Sequence, residues 1–120
     1  MTYDDNNIFA KIIRGEIPCK KIYEDEYTLA FPDINPLAPV HILVIPKGKY
    51  ISQTEFAEKA TDAEIAALHK AIVKVAKDAK ITENGYRVIT NIGENGGQEV
   101  KHLHFHVLGG HKIGAMVTRK

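Results

Sequence analysis

The segment His102-Leu103-His104-Phe105-His106 places three imidazoles at every second position. In an extended strand, successive side chains point to opposite faces. His102, His104 and His106 would then share one face, with neighbouring Cα atoms about 6.6 Å apart. Leu103, Phe105 and Val107 would share the other face, and packing them on a core would stop the imidazoles slipping off theirs. Three uses of such a face compete. It could be a solvated, hydrogen-bonded surface without chemistry. It could be a three-histidine metal site, because catalytic zinc often takes three protein ligands and a water. It could also be a nucleophilic centre, with one imidazole attacking and the others binding or orienting.

The residues just ahead favour an anionic ligand. Gly93-Glu94-Asn95-Gly96-Gly97-Gln98 reads as a glycine-rich loop, whose backbone N–H groups could form an anion-binding nest. Gly96 and Gly97 would let the chain approach a ligand closely. Asn91 and Gln98 add neutral side-chain donors. Donors together with several imidazoles suit a phosphate better than a bare metal.

Several elements must position this face. Ile8, Phe9, Ile12 and Ile13 have helical spacing, with Asn7 as N-cap and Gly15 as the stop, so a short helix is expected there. Lys21–Phe31 reads as a hairpin around Glu24-Asp25-Glu26, and Pro32, Pro36 and Pro39 enforce an irregular connection. Val40–Ile45 is a nearly continuous apolar run, expected as a central strand covered on both faces. Thr61-Asp62-Ala63-Glu64 is a capping box that opens a long helix with the stripe Ile65, Leu68, Ile72, Val75, Ala76 and Ala79. His69 lies beside that stripe and reads as structural. Tyr86–Asn91 follows the Asn84-Gly85 turn as a strand, and Glu99–Leu108 reads as the last strand. Strands on either side of one long helix indicate an α+β domain with a mostly antiparallel sheet.

Composition narrows the function classes. The 120 residues fit one domain, 1–120, and 16 Lys and Arg against 15 Asp and Glu give a formal charge of +1. That balance argues against nucleic-acid binding, which needs a basic surface. No apolar run comes near the roughly 20 residues that span a bilayer, so no membrane association is expected. The single Cys19 makes no internal disulfide and suits a reducing compartment. The acidic, polar N-terminus is unlike a secretory signal. Together these point to the cytoplasm.

The run from Gly96 to Gly110 resembles the signature of the histidine triad (HIT) family, His-φ-His-φ-His-φ-φ with φ apolar. Ile8–Pro18 resembles the opening of its Hint branch, Ala30–Lys47 its middle segment, and the closing Leu108-Gly109-Gly110 also favours Hint over Fhit. The resemblance covers nearly the whole chain. It implies a HIT-like α+β fold: a five-stranded antiparallel sheet with one short and one long helix, and two subunits joined as a homodimer with a ten-stranded sheet. It implies a purine nucleoside phosphoramidase, hydrolysing the P–N bond of AMP or GMP phosphoramidates, with no cofactor and no metal. By position, His104 would be the nucleophile and carry a covalent nucleotidyl intermediate. His102 and His106 would bind phosphate oxygens or orient the nucleophile, and His41 matches the family's fourth histidine.

Asn91 would reach the phosphate, and Asp33 would accept hydrogen bonds from the ribose hydroxyls. Ile8, Phe9, Phe31, Ile34 and Leu43 would line the base and sugar site; by residue type alone those five read as core. Gly97, Gln98, Glu99 and Val100 complete the implied nucleotide contacts. Three departures stand out. Glu99 occupies a position that holds serine in many animal Hint proteins, and an acidic residue there occurs among bacterial relatives. Pro32 replaces a polar residue beside the ribose-binding aspartate. The tail, Lys112 to Lys120, lacks the Trp-Pro-Pro ending of animal forms. Two other functions fit the same residues: a nucleotide-binding scaffold with incidental turnover, or a dinucleoside polyphosphate hydrolase.

Overall fold

In the computed structural model, which describes residues 2–117, five strands form one antiparallel sheet in the order β1-β2-β3-β5-β4. The single-domain expectation for 1–120 and the reading of the tail to Lys120 both extend to residues outside the described ones. The strands are β1 (Tyr23–Glu24), β2 (Thr28–Pro32), β3 (Val40–Pro46), β4 (Arg87–Ile89) and β5 (Phe105–Gly109). As its apolar run requires, β3 is central and buried from His41 to Pro46. Among the described residues, no helix is long and apolar enough to cross a membrane.

Side-chain alternation divides the two faces. On one, Ala30, Ile42, Val44, Phe105 and Val107 pack against Leu68, Ala71, Ile72, Val75 and Ala76 of the long helix α3 (Asp62–Asp78). Its capping box forms as expected: Thr61 Oγ1 accepts from Glu64 N, and Glu64 reaches back to Thr61 N. On the other face, Leu29, Phe31, Leu43 and Ile45 meet Phe9 and Ile12 of α1 (Ile8–Ile13). Asn7 caps α1 by accepting from Ala10 N. Gly15, at φ +81°, takes the left-handed conformation that ends it.

Two expectations need correction. A third helix, α2 (Gln53–Lys59), precedes α3 and buries Phe56. Phe56 is its one buried residue, so this segment of about two turns shows no apolar stripe to read. The last strand is also shorter than expected, beginning at Phe105 and not at Glu99. The β3–β5 ladder stops at the Val44–Phe105 pair. Ahead of it, the 98–103 segment is held by scattered bonds, including Leu103 N to Tyr50 O at 2.8 Å.

Candidate active site

The β3–β5 register pairs His41 with Leu108 and Leu43 with His106. His41 and His106 are therefore diagonal neighbours on the α1 face, and His41 Nε2 lies 2.9 Å from His106 Nδ1. The backbone N–H of Leu37 donates to His41 Nδ1 at 3.1 Å. A nitrogen that accepts cannot also carry hydrogen, so the His41 hydrogen sits on Nε2 and is donated to His106 Nδ1. By the same logic, His106 keeps its own hydrogen on Nε2. Asp33 Oδ2 lies 3.5 Å from His41 Nε2. Its backbone N–H donates to the His41 carbonyl, which fixes the start of the loop after β2.

His104 is oriented differently. Its Nδ1 is 2.7 Å from the His102 carbonyl oxygen; a carbonyl only accepts, so Nδ1 carries the hydrogen and Nε2 a free lone pair. The Thr90 hydroxyl donates to the His104 carbonyl at 2.9 Å, and the Phe9 ring stands edge to face with the imidazole at 5.0 Å between centroids. Burial pushes the His104 pKa down and pushes that of His106 down to about 4. Both rings are thus neutral at physiological pH, as a nucleophilic imidazole must be.

A cleft of about 880 Å³ opens over these rings. It gathers nearly every residue expected there: His41, His104 and His106; Asp33 and Asn91; Ile8, Phe9, Phe31, Ile34 and Leu43; and Gly97, Glu99 and Val100. Ile34 is 86% exposed and Leu37 80% exposed at its rim, unfavourable apolar surface that a bound ligand would cover. Ile17, Pro18, Cys19 and Lys20 also line it. Spacing gave no sign of that end, because these residues reach the cleft only through the turn after α1. Lys20 is the one basic side chain among the lining residues besides the histidines, against the carboxylates of Asp33 and Glu99.

Two expected residues lie elsewhere. His102 is fully buried and absent from the cleft wall. Its Nε2 donates to the Pro46 carbonyl at 2.9 Å and its Nδ1 faces the Tyr3 hydroxyl at 2.6 Å. The alternation itself holds, with Leu103, Phe105 and Val107 on the α3 side and the imidazoles of His102 and His104 both against Phe9. The three histidines do not share one open face because Tyr3 and Phe9 cover His102. Gln98 is buried too. Its Oε1 accepts from Gly93 N, and its Nε2 donates to the carbonyls of Ile51 and Val100. Its donors are therefore spent on holding the loop and are not offered to a ligand.

The glycine-rich loop is likewise closed on itself. The N–H of Gly97 bonds Glu94 O and that of Gln98 bonds Gly93 O, both at 3.0 Å. Gly96 is required because a Cβ there would collide with the Ile92 carbonyl, so the close approach is to backbone and not to a ligand. A nest built from the Gly97 and Gln98 amides is thereby ruled out.

A metal fits poorly. Both His102 nitrogens are engaged, so a site built from His102, His104 and His106 cannot assemble. Asp33, His41 and His106 place ligand atoms within 4.8 Å of one another. However, His41 Nε2 would have to lose its hydrogen while Nδ1 still accepts from Leu37, which demands an imidazolate.

The strands β3 and β5, with the residue just ahead of β5, turn His41, His106 and His104 into one apolar-walled cleft. The chain belongs to the HIT domain family: the family model of the HIT domain matches residues 14–113. An uncharacterized HIT-like protein of Azospirillum brasilense is 57% identical over 118 residues, covering 98% of this chain and 97% of that protein. A HIT family hydrolase from Clostridium thermocellum superposes with a TM-score of 0.83 at 43% identity, over 96% of this chain and 99% of that one. A histidine triad nucleotide-binding protein from Candida albicans gives 0.78 at 32%, over 96% and 86%.

Proposed function

We propose that this protein is a purine nucleoside phosphoramidase of the Hint branch, working through a nucleotidyl adduct on His104. The observation that carries the reading is the His104 tautomer: Nδ1–H is held by the His102 carbonyl, leaving Nε2 unprotonated in a cleft of nucleotide size. The names of the relatives from Clostridium thermocellum and Candida albicans, a hydrolase and a nucleotide-binding protein, support the same class.

In this reading the base and sugar lie against Ile8, Phe9, Phe31, Ile34 and Leu43, with the ribose hydroxyls on Asp33. Asn91 and His106 Nε2–H contact the phosphate. His104 Nε2 attacks phosphorus; the Nε2–P bond forms as the P–N bond breaks, and the leaving nitrogen takes a proton. The His41–His106 pair supplies it. An anionic phosphate beside His106 opposes the desolvation that otherwise keeps that ring neutral. His106 Nδ1 therefore takes a proton from solvent as the substrate binds, giving up the bond from His41 Nε2–H. His106 Nε2–H passes to the leaving nitrogen. Water then attacks phosphorus and gives a proton to His106 Nε2, the Nε2–P bond of His104 breaks, and the nucleoside monophosphate leaves. Two displacements replace one difficult step.

The reading extends to a single-domain subunit that acts in the cytoplasm as a homodimer and needs no cofactor. In support of the dimer, β4 is an edge strand, and Val88 on it is exposed; light scattering on the purified protein tests that state. Turnover is tested with a fluorogenic adenosine phosphoramidate. His104→Ala should abolish nearly all turnover and keep AMP binding, while wild-type rates in that variant would refute the assignment. A very low wild-type kcat/KM would favour a nucleotide-binding scaffold, and preferential cleavage of a dinucleoside polyphosphate would favour that hydrolase class.

A further inference from the structure

Ahead of α1, the N-terminal segment makes a contact that the reaction above leaves unused. Tyr3 is half-buried, with its hydroxyl 2.6 Å from His102 Nδ1 and its ring edge to face with the imidazole at 5.6 Å. Because Pro46 O can only accept from Nε2, Nδ1 must present a lone pair and Tyr3 must be the donor. His102 is fully buried, so water cannot replace either partner. The segment itself is tied down by the Asp5–Lys49 ion pair at 2.8 Å and by Arg14 Nη1 donating to Asp5 O at 2.8 Å.

The contact leads to the nucleophile in one step. The His102 ring is clamped at both nitrogens, and the carbonyl of that same residue holds His104 Nδ1–H. Fixing the ring fixes the peptide, and the peptide aims the imidazole that attacks. We infer that Tyr3 is a positioning residue for His104, acting through the tautomer and orientation of His102. This rests on the phosphoramidase reading for its kinetic consequence but not for its structural one. Burial raises the Tyr3 pKa, so the phenol stays protonated, and a donor, throughout the physiological range. Without the hydroxyl, Nδ1 would be a buried acceptor with no donor. Switching tautomer would turn a lone pair on the Pro46 carbonyl, and turning the ring would drag the peptide that holds His104.

Tyr3→Phe removes that single oxygen. The expected result is a kcat lower by roughly ten- to a hundredfold, the scale of a small misplacement of a reacting group, with KM and AMP affinity unchanged. Side-chain nitrogen NMR should show one Nε2–H tautomer of His102 in the wild type and a mixture in the variant. Lys49→Ala, which releases the ion pair but keeps the phenol, should retain wild-type kcat. Wild-type kcat in Tyr3→Phe overturns the inference, as does an unchanged His102 tautomer or a loss of AMP binding parallel to kcat. If the wild type itself does not turn over the phosphoramidate, the proposed function fails separately. The tautomer measurement then decides the Tyr3 assignment by itself.

Discussion

His41 donates to His106 across the β3–β5 ladder, Nε2 to Nδ1 at 2.9 Å, and the direction of that bond is set by the Leu37 amide on the far side of the His41 ring. One backbone N–H at the cleft rim thus determines that His106 presents an N–H to whatever the cleft holds.

His41→Ala should therefore reduce kcat by on the order of a hundredfold, the usual scale for a group that handles a proton. His106 would lose its donor, and its tautomer would no longer be fixed. KM should change little, because His41 meets the ligand chiefly through its partner. Steady-state kinetics on a phosphoramidate check this split. Exhaustive chelation of the wild type should leave kcat/KM unchanged, since the His41 geometry leaves no lone pair for a metal.

The pH profile follows from the depressed histidines. His104 attacks only when neutral, and burial lowers its pKa below the ordinary 6.5. The acid limb of kcat/KM should accordingly lie below pH 6.5; a limb centred above that value would contradict the assignment. AMP binding should also take up protons on the acid side, because phosphate opposes the desolvation that holds the His106 pKa down. Calorimetry at about pH 5.5 in buffers of different ionisation enthalpy measures that uptake directly.

Stability should depend on pH through His102. Burial holds its folded pKa at about 4, against 6.5 in the unfolded chain. Above pH 6.5 the ring is neutral in both states. Between 6.5 and 4 only the unfolded chain binds the proton, so stability falls as pH falls, and below 4 this contribution levels off. The full loss is roughly 3 kcal/mol. Urea unfolding at a series of pH values should show that decline across this window; constant stability there would place His102 in a more polar setting than its burial indicates.

Much of this was legible in the residues. Val40–Ile45, the Thr61 capping box and the φ-positive Gly15 act locally, through burial, one hydrogen-bonded turn and one backbone conformation, and all three formed as expected. The alternation around His104 and His106 correctly separated Phe105 and Val107 from the imidazoles. It also separated Leu103 from His102, but it could not show that Tyr3 and Phe9 cover His102 and close it off from the cleft. Gln98 looked like a ligand donor since its type is polar and its neighbours are glycines. Only tertiary structure shows its amide consumed by Gly93, Ile51 and Val100. Tyr3 was invisible for the same reason, being 99 residues from its partner.

The central claim is that His104 Nε2 forms a bond to phosphorus. Mixing the protein with an adenosine phosphoramidate, quenching in acid within the first turnover and mapping peptides by mass spectrometry reads that bond directly. An adenylyl group on the peptide containing His104, absent from His104→Ala, is the predicted result. Rapid turnover with no adduct at any quench time, or an adduct on another residue, would contradict it.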